Sequence, residues 1–196
     1  MIKGFQDTLD VLENSLESVK DDEFCKLLND CNETLNKGSK IVVSGLGKNV
    51  PICDKFVGTM VSLGMDAAFL HTNSAVHGDL GVVKDGDLVV ILSKSGSTSE
   101  SVYLKRQLDK RHVTQWLFTF GDGGTLAKVM DNVLHIQMKH EGDQWNIVPN
   151  NSTVLDLIVL QTIVMELAKM QGITLEQFRK NHPGGHIGQV LNEVSQ

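Results

Sequence analysis

From residue 40 the chain carries five short runs of β-branched and aliphatic residues: Lys40–Ser44, Ala67–Leu70, Leu88–Ser93, Gln115–Phe120 and Val133–Gln137. Helical stretches separate the first four. The runs are apolar at consecutive rather than alternate positions, the pattern of strands covered on both faces. Strands that alternate with helices are joined by crossovers and pair in parallel. The pattern therefore predicts a three-layer α/β sandwich around a parallel sheet. In such a fold ligands bind beyond the carboxyl ends of the strands.

Two helices precede the first run. Ile2, Phe5, Leu9, Leu12, Leu16 and Val19 recur at spacings of three and four, which makes an apolar seam on a helix. Phe24, Leu27, Leu28, Cys31 and Leu35 form a second seam, and Gly38 stops it. An open seam must pack on the domain or on another subunit. Pro51 near the start and Gly64 past the end bound a helix between the first two strands. Asp85-Gly86-Asp87 turns into the third strand, and Gly121–Gly124 separates the fourth from a short helix expected to begin near Thr125. The stretch from Val154 to Met170 reads as a long apolar helix. Asp156, Gln161, Glu166 and Lys169 interrupt it, so it does not read as a membrane span. The segment Met1–Asp7 lacks the apolar core of a signal peptide.

Net charge decides which partners to expect. At -6 it argues against nucleic acid or an anionic membrane, which need a basic footprint. It also means that a phosphate ligand needs a local device to hold it. Cys25, Cys31 and Cys53 form no CxxC pair and read as reduced thiols of a cytosolic protein.

The residues after the first and third strands supply candidates for that device. After the first come Ser44-Gly45-Leu46-Gly47-Lys48-Asn49. A dinucleotide fingerprint fails there because Val50 holds the third glycine position. A P-loop fails because Val42 and Asn49 stand where glycine and a hydroxyl residue belong. What remains is a glycine-permitted approach of backbone to ligand with Lys48 aimed at it, or else a plain strand–helix turn with a solvated lysine. After the third strand, Ser93-Lys94-Ser95-Gly96-Ser97-Thr98-Ser99-Glu100 crowds hydroxyls around a glycine at a helix N-terminus. Hydroxyls, free N–H groups and the helix dipole together make a neutral anion site. Ser97–Glu100 also fits a capping box, so Glu100 reads equally as a cap or as a site carboxylate.

Further candidates are His77-Gly78-Asp79-Leu80-Gly81, flanked by His71, and Glu141 in an irregular stretch. Pro149-Asn150-Asn151-Ser152-Thr153 precedes the long helix, where Ser152 or Thr153 suits an N-cap. His182-Pro183-Gly184-Gly185-His186 lies near the end. Two histidines four apart suggest metal ligands on a helix, but Pro183 and the glycines break any helix there, and no metal is expected. His112, His135 and His140 receive no role.

Taken in order, Gly45-Leu46-Gly47-Lys48, HGDLG at 77–81, Ser93-Lys94-Ser95-Gly96-Ser97, Pro149 with Ser152-Thr153, and HPGG at 182–185 resemble the sugar isomerase (SIS) domain of arabinose-5-phosphate isomerases. The likeness runs from about residue 38 to residue 191. It implies one domain, 1–196, with a helical segment at 1–37 and a sugar-phosphate-binding core at 38–191. It also implies a five-stranded parallel sheet between helices, a cytoplasmic homotetramer with sites at subunit interfaces, and no cofactor. The implied reaction interconverts D-arabinose 5-phosphate and D-ribulose 5-phosphate through an enediol, toward 3-deoxy-D-manno-octulosonate for lipopolysaccharide or capsule.

By motif, Lys48, Glu100, Glu141, His182 and His77 fall on the family's catalytic positions. Ser44, Ser93, Ser95 and Thr98 fall where the phosphate is held. Either Glu141 or His182 suits the carbon base. Asn49-Val50 replace the family's Ser-Gly, Lys94 and Ser97 replace an asparagine and a glutamate, and Thr72-Asn73-Ser74 replace Pro-Gly-Glu. The likeness is to a short form, because the CBS pair that many relatives carry is not encoded in these 196 residues. The rival readings are an isomerase of a hexulose or heptose phosphate, and a SIS module that binds a sugar phosphate without turning it over.

Overall fold

The computed structural model describes residues 2–193. Five parallel strands, β1 (Ile41–Gly45), β2 (Ala67–His71), β3 (Leu88–Leu92), β4 (Thr114–Thr119) and β5 (Val133–His135), form one sheet in the order β2-β1-β3-β4-β5. The expected boundaries shift by one or two residues at most ends. β1 and β3 are central and buried at every position, as their unbroken apolar runs require.

The strands deal their side chains alternately into two cores. Ile41 and Val43 of β1, with Leu88, Val90 and Leu92 of β3, face α1 (Lys3–Leu16), α2 (Asp21–Asn36), α3 (Val50–Ser62) and α5 (Asn151–Met170). Leu27, Cys31, Phe56, Met60, Leu155, Val159 and Ile163 complete that core. Val42, Val89 and Ile91 face the other way, onto Leu104 and Leu108 of α4 (Ser99–Leu108) and onto Ala75, Val83 and Leu126 from turns. The outer layers are therefore unequal: four helices on one face, one helix with irregular chain on the other. Two short helices, α6 (Leu175–Lys180) and α7 (Gly185–Glu193), end the described chain.

Strand order fixes where a ligand can enter. The chain steps from β1 outward to β2 through α3, and from β3 outward in the opposite direction to β4 through α4. Right-handed crossovers in opposite directions put those helices on opposite faces. The loops leaving the carboxyl ends of β1 and β3 therefore diverge and leave a crevice at the switch point.

Other details adjust the expectations. The helix expected near Thr125 is not formed; residues 125–129 are turns, and the Thr125 and Leu126 amides donate to Ser97 Oγ and Gly96 O of the serine loop. The N-terminal seam divides: Val11 and Leu12 are buried, but Ile2, Phe5 and Leu9 remain more than half exposed. Trp116 on β4 is buried. Its indole N–H donates to Asp30 of α2 at 2.9 Å, with the Lys26 ammonium 4.9 Å from the ring centre. Trp145, in the loop before α5, is 65% exposed.

Candidate active site

β1 runs out at Gly45, where an added Cβ would stand 2.9 Å from Cys53 Sγ and 3.0 Å from Asn49 Cβ; only glycine lets α3 approach this closely. Gly47, at φ +60°, turns the chain into a short 3-10 turn (Gly47–Asn49) that presents Lys48. Across the switch point, the loop after β3 is pinned by its backbone. Lys94 O accepts from Phe120 N and Thr119 Oγ1, both at 3.1 Å, and Gly96 O accepts from Leu126 N at 2.8 Å. Gly124 lies flush against this loop, with no room for a Cβ beside Ser95 O.

A cavity of about 350 Å³ opens between the two loops. Gly47, Lys48 and Asn49 line one side, Ser93, Lys94, Ser95 and Thr98 the other, and Pro149 and Ser152 the back. Ser95 Oγ accepts from Ser97 N at 3.2 Å, and the Ser93 and Thr98 hydroxyls lie 3.5 Å apart. Thr98 is the N-cap of α4, but its side chain caps no amide. Thr98 therefore leaves first-turn N–H groups of α4 beside the hydroxyls, although the Glu100 amide already serves its own carboxylate; the rest is an anion-binding arrangement. The expected capping box is not formed, because the helix starts one residue later than it needs. The capping box that does form joins Thr174 and Gln177 at the start of α6.

Of the candidate residues, Lys48, Ser93, Ser95 and Thr98 meet at this cavity. The others stand elsewhere in a single chain. Ser44 is fully buried and bonded to Thr72 Oγ1 at 2.9 Å, so it belongs to the wall rather than the lining. Glu100 lines a neighbouring groove of about 260 Å³ with Thr72, Asn73, Val76 and Tyr103. A 2.8 Å bond from the Ser99 hydroxyl, helped by a backbone amide, holds its carboxyl below the usual range. His77 is exposed on the 3-10 turn Ser74–His77. His182 stacks on Phe178 with ring centres 4.0 Å apart. It lines a separate groove of about 560 Å³ with Asp54, Lys55, Thr59, Met165 and Ile187. Pro183 and Gly184 separate His182 from α7, which carries His186. Among the described residues no three His, Cys, Asp or Glu side chains cluster as metal ligands.

Glu141 lies behind the cavity with no exposed surface. Its Oε2 accepts from the amides of Asn150 at 3.0 Å and Ser152 at 2.9 Å. Its Oε1 accepts from Ser152 Oγ at 2.6 Å and pairs with Lys94 Nζ at 2.5 Å. Burial pushes this carboxyl up, but the bonds from Lys94, Ser152 and the two amides outweigh it, and the group stays below the usual carboxylate range. So held, it is a weak base. One turn along α5, Asp156 is 3% exposed; burial, then the charge of Glu141, pushes its carboxyl up to about 8. Neither the Lys94–Glu141 pair nor Asp156 stood out in the sequence. A lysine among serines reads as solvated, and an acid inside an apolar helix reads as an interruption of the seam.

Residues 34–168 match the SIS domain family, and the chain belongs to it. Among named relatives it is similar to the arabinose 5-phosphate isomerase KdsD of Salmonella typhi, with 34% identity over 82% of this chain and 49% of that one. The KdsD protein of Escherichia coli K12 is also 34% identical, over 78% of this chain and 46% of its own. The chain thus spans about half the length of these relatives. Of solved structures, the E. coli CFT073 protein c3406 in complex with arabinose 5-phosphate superposes with a TM-score of 0.84 at 29% identity, covering 92% of this chain and 94% of that one. The sugar isomerase domain of an RpiR transcription factor from Sphaerobacter thermophilus has a TM-score of 0.70 at 17% identity, over 99% and 97% of the two chains. That second likeness is one of fold alone.

Proposed function

We propose that this chain is an aldose–ketose isomerase that interconverts D-arabinose 5-phosphate and D-ribulose 5-phosphate. The observation that carries the reading is the cavity at the β1/β3 switch point. It places hydroxyls and helix N–H groups, with the Lys94 ammonium beside them, opposite Lys48. This answers the charge problem: an anion is gripped by dipoles and two local cations in a chain of net charge -6. The named KdsD relatives and the arabinose 5-phosphate complex of c3406 support this choice of sugar.

In the mechanism, Ser93, Ser95 and Thr98 anchor the phosphate, so remote binding energy positions the reacting carbons. Lys48 stabilises the oxyanion of the enediol. Glu141 or His182 moves the proton between adjacent carbons. His77 or His182 assists ring opening, and Glu100, from the neighbouring groove, orients Lys48 or a substrate hydroxyl. In this reading His182 serves the Lys48 cavity of a neighbouring subunit, since within its own chain it lines a separate groove. In support, Met165 and Ile187 stand 44% and 48% exposed beside it, an apolar rim suited to a second copy. The working form is then a cytoplasmic homotetramer. Each chain is one domain, with residues 1–37 as helical cover and 38–191 as core.

The test is to offer the purified protein arabinose 5-phosphate in heavy water and follow ribulose 5-phosphate. Turnover with deuterium on the reacting carbon is expected. Sugar-phosphate binding without turnover would leave a binding module instead.

A further inference from the structure

Glu141 divides its partners by oxygen. Oε2 is held by the amides of Asn150 and Ser152, which are fixed at the start of α5. Oε1 is held by two side chains that themselves line the cavity, Ser152 and Lys94. Oε1 is therefore the oxygen turned toward the cavity, and Lys94 covers it. The two partners of this ion pair differ in exposure. Glu141 has no exposed surface, whereas the Lys94 side chain is 43% exposed. The Lys94 backbone is pinned to β4, so its long side chain can swing while the loop stays in place.

Lys94 also belongs to the loop whose hydroxyls form the anion nest. A dianion seated there offers its ammonium more negative charge than one carboxylate does. Drawing the cation off a carboxylate with no exposed surface has a cost, which the stronger attraction of the ammonium for the dianion must offset. Glu141 would keep three of its four donors and lose only the cation.

We propose that Lys94 is a substrate-operated cover on Glu141: the phosphate of the bound sugar draws the ammonium away, baring Oε1 to the cavity as the base for the carbon proton. The proposal rests on the isomerase reading above. It makes Lys94 a positioning residue, one that acts through Glu141. Its physical consequence is a change of basicity. The Lys94 bond stands first among those holding the Glu141 carboxyl down, and its loss leaves burial to push the group up. A dianion nearby acts in the same direction. The other titratable groups around Glu141 do not oppose this. Asp156 on α5, pushed up to about 8, carries its proton at neutral pH, and the buried Cys53 thiol on α3 is pushed up as well. Lys48 lines the opposite side of the cavity.

The test is a carbon-13 NMR titration of protein labelled at its glutamate carboxyls, with inorganic sulfate as the probe, because sulfate stays a dianion over the acidic range in which carboxyls titrate. The Glu141 signal is identified by its loss in Glu141→Gln or, should that variant not fold, as the carboxyl signal that Lys94→Met moves. In the wild type, sulfate is expected to raise the Glu141 midpoint by roughly one pH unit or more. In Lys94→Met the midpoint starts raised and sulfate adds little. KM for the sugar phosphate rises about tenfold or more, from loss of a charged contact, with a smaller fall in kcat. A wild-type midpoint unmoved by saturating sulfate overturns the proposal, as does a sulfate shift that persists in Lys94→Met. Because the titration needs no turnover, the two claims separate. Turnover with a fixed midpoint refutes the cover; a moving midpoint without turnover refutes the isomerase reading and the base role with it.

Discussion

Replacing Asp156 by asparagine should stabilise the protein, by an amount that grows with pH. Asp156 sits on the second turn of α5, and its carboxyl titrates near 8 against an ordinary 3.8. A folded-state value raised above the unfolded one means that folding takes up a proton. The wild type therefore carries no penalty below the unfolded value and loses stability as pH rises toward the folded one. Each unit is worth about 1.36 kcal/mol, so the penalty is about 4 kcal/mol at most near pH 7 and on the order of 1–2 kcal/mol near pH 5. Against a total stability of about 5–15 kcal/mol this is a large fraction. Asparagine keeps the shape and cannot ionise. Urea unfolding of both proteins, from about pH 4 to about pH 8, reads the difference directly. The two stabilities should coincide at the acid end and diverge by about 1.36 kcal/mol per unit. A constant difference across that range would refute the assignment of a proton to the buried carboxyl.

Two further substitutions probe the cavity. Lys48→Ala should lower kcat by about 10²–10³-fold, the usual worth of one oxyanion donor. The unfolding midpoint should stay in place, since Lys48 is exposed and makes no ion pair among the described residues. Gly124→Ala should push the serine loop away from its seat, because the new methyl meets Ser95 O and stands 2.9 Å from Gly96 Cα. Overpacking of this kind costs about 1–3 kcal/mol in denaturant titrations, and KM for the phosphate should rise with it.

The sheet was legible because a strand covered on both faces has nothing polar to hide: β1 and β3 are buried at every position and read as unbroken apolar runs. The two cavity loops were legible for a related reason. In a parallel sheet the chemistry follows the strands, so Lys48 and Ser93–Thr98 could be found by position. Contacts between distant segments left no such trace. Lys94 meets Glu141 from another loop, and Ser44 turns from lining to wall because Thr72, on the next strand's end, takes its hydroxyl. Glu100 follows a helix face whose rotation depends on packing, which turns it into the adjoining groove, and His182 lies in the connection between α6 and α7, where chain packing sets it beside α3. At Thr125, local preference for a helix yielded to the bond from Leu126 N to Gly96 O, which holds the segment as turns against the serine loop.

The contrasting settings of Trp116 and Trp145 give the protein a built-in pair of optical reporters. Trp116, sealed between β4 and α2, should emit toward the blue and resist aqueous quenchers until the helix pair comes off the sheet. Trp145 should emit toward the red and quench readily, and it lies four residues before Pro149 at the cavity wall. Selective quenching with iodide would then distinguish rearrangement of the loop over the ligand from loosening of the domain, in unlabelled protein.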